Sequence, residues 1–158
     1  MINIETGKEL ILKNCLSYRK KATPIEMQES LGKIINYLKE NNIKKDGPVV
    51  TTTFAVEQVD NQQLIDMEFL IPIDRVVDLP DEYQFKKEFR LVNALYTRYQ
   101  GNPQMIEHVY NELMKYINDN NLQQITSAYN VQVQEFEPRN SLDELITDIY
   151  IGINLNLL

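Results

Sequence analysis

Two apolar runs each carry one carboxylate at a matched place: Met67-Glu68-Phe69-Leu70-Ile71-Pro72-Ile73 and Thr147-Asp148-Ile149-Tyr150-Ile151-Gly152-Ile153. Alternation with period two marks both as strands. It sends Met67, Phe69, Ile71 and Ile73 to one face, with Ile149, Ile151 and Ile153 as counterparts, and turns Glu68 and Asp148 to the other. A carboxylate withdrawn from water is costly unless it is paired, so a groove lined by such groups favours a cation or a protonated acid. Aromatic faces attract cations by roughly 0.5 to 2 kcal/mol each. With nine tyrosines and no tryptophan, tyrosine is the available wall material. Counting from Leu95 directs Tyr96 to the side of the acids, as it does Tyr150, whereas Phe54 and Tyr129 are assigned to the core. Glu68, Tyr96, Asp148 and Tyr150 are therefore the candidate ligand-binding residues. The plainer alternative leaves both acids as ordinary solvated residues on an open sheet face.

Composition removes several other chemistries. One cysteine, Cys15, permits no internal disulfide, and with one histidine, His108, no zinc-ligand spacing or nucleophile–histidine set can be assembled. No metal, cofactor or catalytic residue is assigned. His108 falls off the apolar stripe of its helix and reads as a solvated residue. A formal net charge of -7 and a pI of about 4.8 deprive phosphate-backbone binding of its main electrostatic term, so direct nucleic-acid binding is not expected. The first ten residues are too charged for a signal peptide, and no apolar run approaches the ~20 residues of a spanning helix. The expected setting is cytoplasmic, without membrane association. A chain of 158 residues, 43% hydrophobic, can fill one core or two small fused ones.

The elements that must position the acids follow in order. Glu9 to Lys20 alternates through Leu10, Leu12, Leu16 and Tyr18, with a break at Asn14, and predicts a strand whose Cys15 faces away from the core. Thr23-Pro24-Ile25-Glu26 is a capping box with proline at the first helical position. The helix it opens runs to Asn41-Asn42 and places Ile25, Leu31, Ile34, Ile35 and Leu38 on one stripe. After Asp46-Gly47-Pro48 come a strand from Val49 to Glu57, a turn at Asp60 to Gln63 and the strand ending at Ile73. Asp74 to Glu82 connects, and the same β-α-β-β order begins again. Thr23 and Asn102, Tyr37 and Tyr116, and Asn41 and Asn120 all differ by 79. Glu68 and Asp148 differ by 80, which requires one inserted residue in a hairpin around Pro138 to Asp143. The second helix, Pro103 to Asp119, is predicted to bury Met105, Val109, Leu113 and Ile117, and a strand spans Tyr129 to Phe136. The fold class is α+β: two pseudo-symmetric β-α-β-β units, residues 9–73 and 83–154 joined by 74–82, forming an antiparallel sheet with two long helices on one face. The whole chain is expected to act as one domain.

The tandem units, the Gly101-Asn102-Pro103 helix entry, the phrase Tyr116-Ile117-Asn118-Asp119-Asn120-Asn121-Leu122 and the ending Asp148-Ile149-Tyr150-Ile151-Gly152-Ile153 together resemble the DNA gyrase inhibitor-like family, which includes the effector-binding domains of bacterial transcription regulators. The resemblance implies a groove between the halves that binds small, cationic or lipophilic molecules. It implies that an acidic residue of the last strand, here Asp148, contacts the ligand. The chain departs from that family in carrying aspartate where glutamate is usual and Gly152 where proline is commoner. With no helix-turn-helix ahead of the domain, a standalone binding module without catalysis is the expected function. Two alternatives stand beside it: a protein-interaction module, such as a gyrase inhibitor or the accessory of another complex, and a hydrolase of small molecules using a groove carboxylate as general base.

Overall fold

The computed structural model describes residues 2–134 and 141–154, and within them the chain is α+β, with two helices and six strands in antiparallel pairings. It divides into two compact units, Ile11–Phe89, and the residues up to Leu10 together with Arg90 onward. Among the described residues no helix is long and apolar enough to cross a membrane.

In the unit Ile11–Phe89, strand β1 (Glu5–Ala22) leads to helix α1 (Pro24–Glu40) and then to β2 (Val50–Val59) and β3 (Gln62–Pro72), with β3 between β1 and β2. Helix α1 starts where the sequence says it must. Thr23 Oγ1 accepts a hydrogen bond from Glu26 N at 3.2 Å and Glu26 Oε1 accepts one from Thr23 N at 3.3 Å. Such a cap contributes ~1 kcal/mol. At the other end Asn42 takes a left-handed conformation (φ 54°), and Ile43 N reaches back to Leu38 O at 2.9 Å, satisfying a carbonyl the helix leaves free. The buried face of α1 is Met27, Ile34 and Leu38, which pack with Leu16, Phe69, Ile71 and Ile73. Each such aliphatic side chain, fully buried, contributes roughly 1.5 to 3 kcal/mol.

The second unit contains β4 (Gln84–Gln100, from Arg90 onward), helix α2 (Glu107–Asp119), β5 (Gln124–Gln132) and β6 (Ile146–Ile153), with β6 between β4 and β5. Val109, Leu113 and Ile117 of α2 pack with Leu95, Ile149, Ile151 and Ile153. The helix ends as α1 does, with Asn121 left-handed (φ 54°) and Leu122 N bonded to Ile117 O at 2.9 Å.

Several expectations about side chains are corrected. Ile25 is 73% exposed, and Met27 takes its place in the core. Two residues before Met27 on a helix is about 200° away from the stripe of residues 27, 31, 34 and 38. Met105 is exposed because Pro103–Met105 winds as a 3₁₀ turn, capped by Asn102, so the α-helical phase starts only at Glu107 and the second helix is shorter than expected. Phe54 stands outside the core: the β2–β3 register shifts between Thr53 and Ala55, leaving Phe54 in a bulge where its ring lies 3.9 Å under the Arg19 guanidinium. Tyr129 is buried, but in register with Tyr150 it takes the face of Asp148 and not the face that packs on α2. The break in alternation at Asn14 is a left-handed residue inside β1 (φ 52°), and Asn93, 79 residues on, does the same inside β4 (φ 53°). The inserted residue expected around Pro138 to Asp143 falls largely on 135–140, outside the described residues, as does the end of the strand expected to reach Phe136.

Candidate functional site

Alternation along β3 turns Phe69, Ile71 and Ile73 toward α1 and puts Glu68 on the opposite side, where it is 6% exposed. That side is not an open solvated surface. Cys15 and Leu70, which share it, are also fully buried. Strand β1 pairs Arg19 with Glu68 and Ser17 with Leu70, so Ser17 projects beside the acid and its hydroxyl donates to Glu68 Oε2. Lys86 places Nζ 2.7 Å from the same oxygen. The Arg19 fork is bonded to Asp66 at 2.9 and 3.0 Å. Glu68 opens into a cleft of about 300 Å³ whose wall includes Ser17, Asp81, Glu82, Tyr83 and Lys86. The Tyr83 ring is braced by Tyr18 and Tyr37 at centroid distances of 5.8 and 5.6 Å.

The other unit holds Asp148 on β6, 8% exposed, in register with Arg98 on β4. Arg98 grips it with both arms, Nε to Oδ1 at 2.8 Å and Nη2 to Oδ2 at 2.9 Å, and the Tyr96 hydroxyl donates to Oδ1 at 2.8 Å. Tyr150 sits directly across from Tyr96, their ring centroids 5.0 Å apart. Burial, reinforced by the hydrogen bond and charge of Asp148, pushes the Tyr96 phenol up to about 12. Burial and the same charge raise Tyr150, and the hydrogen bond and charge of Asp148 raise Arg98, which stays protonated.

Tyr96, Asp148 and Tyr150 thus form one cluster, and Glu68 belongs to a second with partners that alternation had not singled out. Arg98 was within reach of sequence reasoning, since it lies two residues beyond Tyr96 on the same strand face. Ser17 was too, because it precedes Tyr96 by the recurring 79 residues and makes the equivalent donation. Lys86 had no such signal: it stands near the start of β4, outside the matched markers. His108 is exposed on α2 with its ring near Tyr99. Among the described residues no three of His, Cys, Asp and Glu are grouped to hold a metal ion. The chemistry offered is recognition by charge and hydrogen bond: two nearly buried carboxylates, each held by a hydroxyl and a cation from its own unit.

A family model described as a domain of unknown function (DUF5085) matches residues 11–155. No curated protein matches the sequence. Among solved structures, the C-terminal domain of EcmrR is similar over 98% of each chain, with a TM-score of 0.75 and 14% identity. The chain spans 57% of the EcmrR chain seen in an EcmrR–DNA complex (97% of this chain, TM-score 0.73, 14% identity). An uncharacterized conserved protein from Listeria innocua is similar over 97% of this chain and 92% of its own, at 11% identity and a TM-score of 0.68. At these identities the likeness concerns the fold.

Proposed function

Because the chain belongs to the DUF5085 family, whose description states no function, we propose from its own residues that it is a small-molecule binding domain that takes a cationic or lipophilic ligand without transforming it. The proposed contacts are Glu68 in the unit Ile11–Phe89, and Tyr96, Asp148 and Tyr150 in the other. The observation that carries this reading is the pair of carboxylates, 6% and 8% exposed, on the strand faces turned away from the helix-packed cores. Acids placed there do nothing for hydrophobic packing, and each is costly without a cation. The resemblance to the gyrase inhibitor-like family supports the reading, as does the fold shared with the C-terminal domain of EcmrR. On this view residues 9–73 and 83–154 are two copies of one β-α-β-β unit, and Glu68 and Asp148 are its equivalent acids.

Binding is favoured over hydrolysis by the state of Asp148. Both oxygens of that carboxylate are already engaged, by a two-armed guanidinium and a phenol donor. The test is a calorimetric titration of benzyltrimethylammonium into the native protein and into Glu68→Gln and Asp148→Asn, which keep shape and remove charge. At least one of the two substitutions should weaken binding ten-fold or more with the circular dichroism spectrum unchanged. Unchanged affinity in both variants would remove the carboxylates from the account. Turnover of a strained cyclic or ester substrate, abolished by either substitution, would replace it with the hydrolase reading.

A further inference from the structure

Resting on that reading, we propose that the cleft beside Glu68 takes a hydrophilic donor cation, a primary ammonium or a guanidinium, and that Lys86 is the resident cation this ligand displaces. The Lys86 ammonium, 2.7 Å from Glu68 Oε2, marks the position a ligand ammonium would occupy. Around it the wall offers Asp81, Glu82 and the Tyr83 ring. Arg19, the other cation at the cleft, is committed to Asp66 and to the face of Phe54. Three carboxylates, Glu68, Asp81 and Glu82, line the cleft that Lys86 would vacate.

Release of Lys86 is easy where release of Arg98 is not. Lys86 holds Glu68 by one bond from a flexible four-carbon stem, and an ammonium freed into water is strongly hydrated. Arg98 must break two aligned bonds to leave Asp148. The two acids thus differ in availability, and Glu68 is the one a ligand can capture by exchange. The nature of the wall sets the class. Ser17, Asp81, Glu82, Gln84 and Lys86 give a quaternary ammonium little apolar surface to rest on, and such a cation has no N–H to replace the bond that Lys86 makes. A ligand must also compete with a tethered cation, which lowers its apparent affinity by the fraction of time Lys86 leaves Glu68 free.

The experiment titrates 1,4-diaminobutane, agmatine and benzyltrimethylammonium into the native protein and into Lys86→Met, Lys86→Arg, Glu68→Gln and Asp148→Asn at low salt. Lys86→Met should bind diaminobutane and agmatine at least ten-fold more tightly than the native protein, and Lys86→Arg more weakly, since an arginine holds the acid by two bonds. Glu68→Gln should abolish this binding. Lys86→Gln serves in place of Lys86→Met if the latter loses its circular dichroism spectrum. Affinity for the two amines that does not rise when the lysine charge is removed overturns the proposal. An equal gain for benzyltrimethylammonium overturns the donor-cation class. Neither result touches the broader reading, which fails only if benzyltrimethylammonium ignores both Glu68→Gln and Asp148→Asn.

Discussion

Gly152→Pro should lower the stability of the protein by ~3 kcal/mol or more, the scale of a proline that removes a needed donor and collides with its surroundings. Gly152 lies inside β6, and its N–H donates to Thr126 Oγ1 at 2.9 Å, a bond proline cannot make. Any Cβ at this position would approach Leu91 Cδ1 to 2.8 Å and Thr126 Cγ2 to 2.9 Å. Eighty residues earlier the corresponding place is occupied by Pro72, which ends β3 and is buried without difficulty. A proline suits the last residue of a strand better than a position that owes a hydrogen bond to its neighbour. Gly152→Ala keeps the N–H and isolates the contact with Leu91 and Thr126, for which a loss of about 1 to 3 kcal/mol is expected. Urea unfolding of the two variants separates the effects. A midpoint for Gly152→Pro equal to that of Gly152→Ala would mean that the Thr126 bond is unimportant and that the replacement of proline by glycine needs another explanation.

The Cys15 thiol should be nearly inert in the folded protein. It is fully buried, and burial, helped by the charge of Glu68 and opposed by that of Lys86, pushes it up from 9.0 to about 11. At pH 8 this alone lowers the thiolate fraction about a hundred-fold relative to an unfolded chain, and enclosure slows a reagent further. Labelling with 5,5′-dithiobis(2-nitrobenzoate) at pH 8 should be at least a hundred-fold slower in the native state than in 6 M urea. Rapid labelling of the native protein would place the thiol in contact with solvent. The same shift predicts alkaline sensitivity. A group whose folded value is raised contributes stability that is present below its unfolded value and is lost as pH rises through the folded one. For Cys15 that window runs from 9.0 to about 11, and for Tyr96 from 10.0 to about 12. Stability should therefore fall above pH 9, and less steeply in Cys15→Ala and Tyr96→Phe.

The parts of this fold legible in advance were those written in short-range chemistry. Thr23, Pro24 and Glu26 announce a helix start because the capping geometry involves only neighbours, and Asn42 and Asn121 announce the helix ends because asparagine tolerates the left-handed conformation. Alternation along β3 and β6 assigned Glu68 and Asp148 to the face away from the helices because a strand has period two whatever it packs against. What escaped was set by local departures from ideal geometry or by distant partners. The bulge that displaced Phe54 and the 3₁₀ turn that displaced Met105 change the phase of a repeating pattern at one residue, and no composition marks them. Lys86 meets Glu68 across 18 residues of chain, a pairing that depends on where β4 runs. Whether both acids would be buried in a groove or solvated on an open face was left between two readings for the same reason: a strand's own sequence says which face a residue takes and nothing of how that face is covered.

The hydrogen bond from Tyr96 to Asp148 also has an optical meaning. The chain contains no tryptophan, so its ultraviolet emission comes from tyrosine alone. An excited phenol is a far stronger acid than a phenol at rest, and a carboxylate already accepting its hydrogen at 2.8 Å removes the proton before light is emitted. Tyr96 is therefore dark while Asp148 holds it and brightens when the carboxylate is neutralised or drawn away. The protein carries in its own side chains a gauge of whether that acid is engaged.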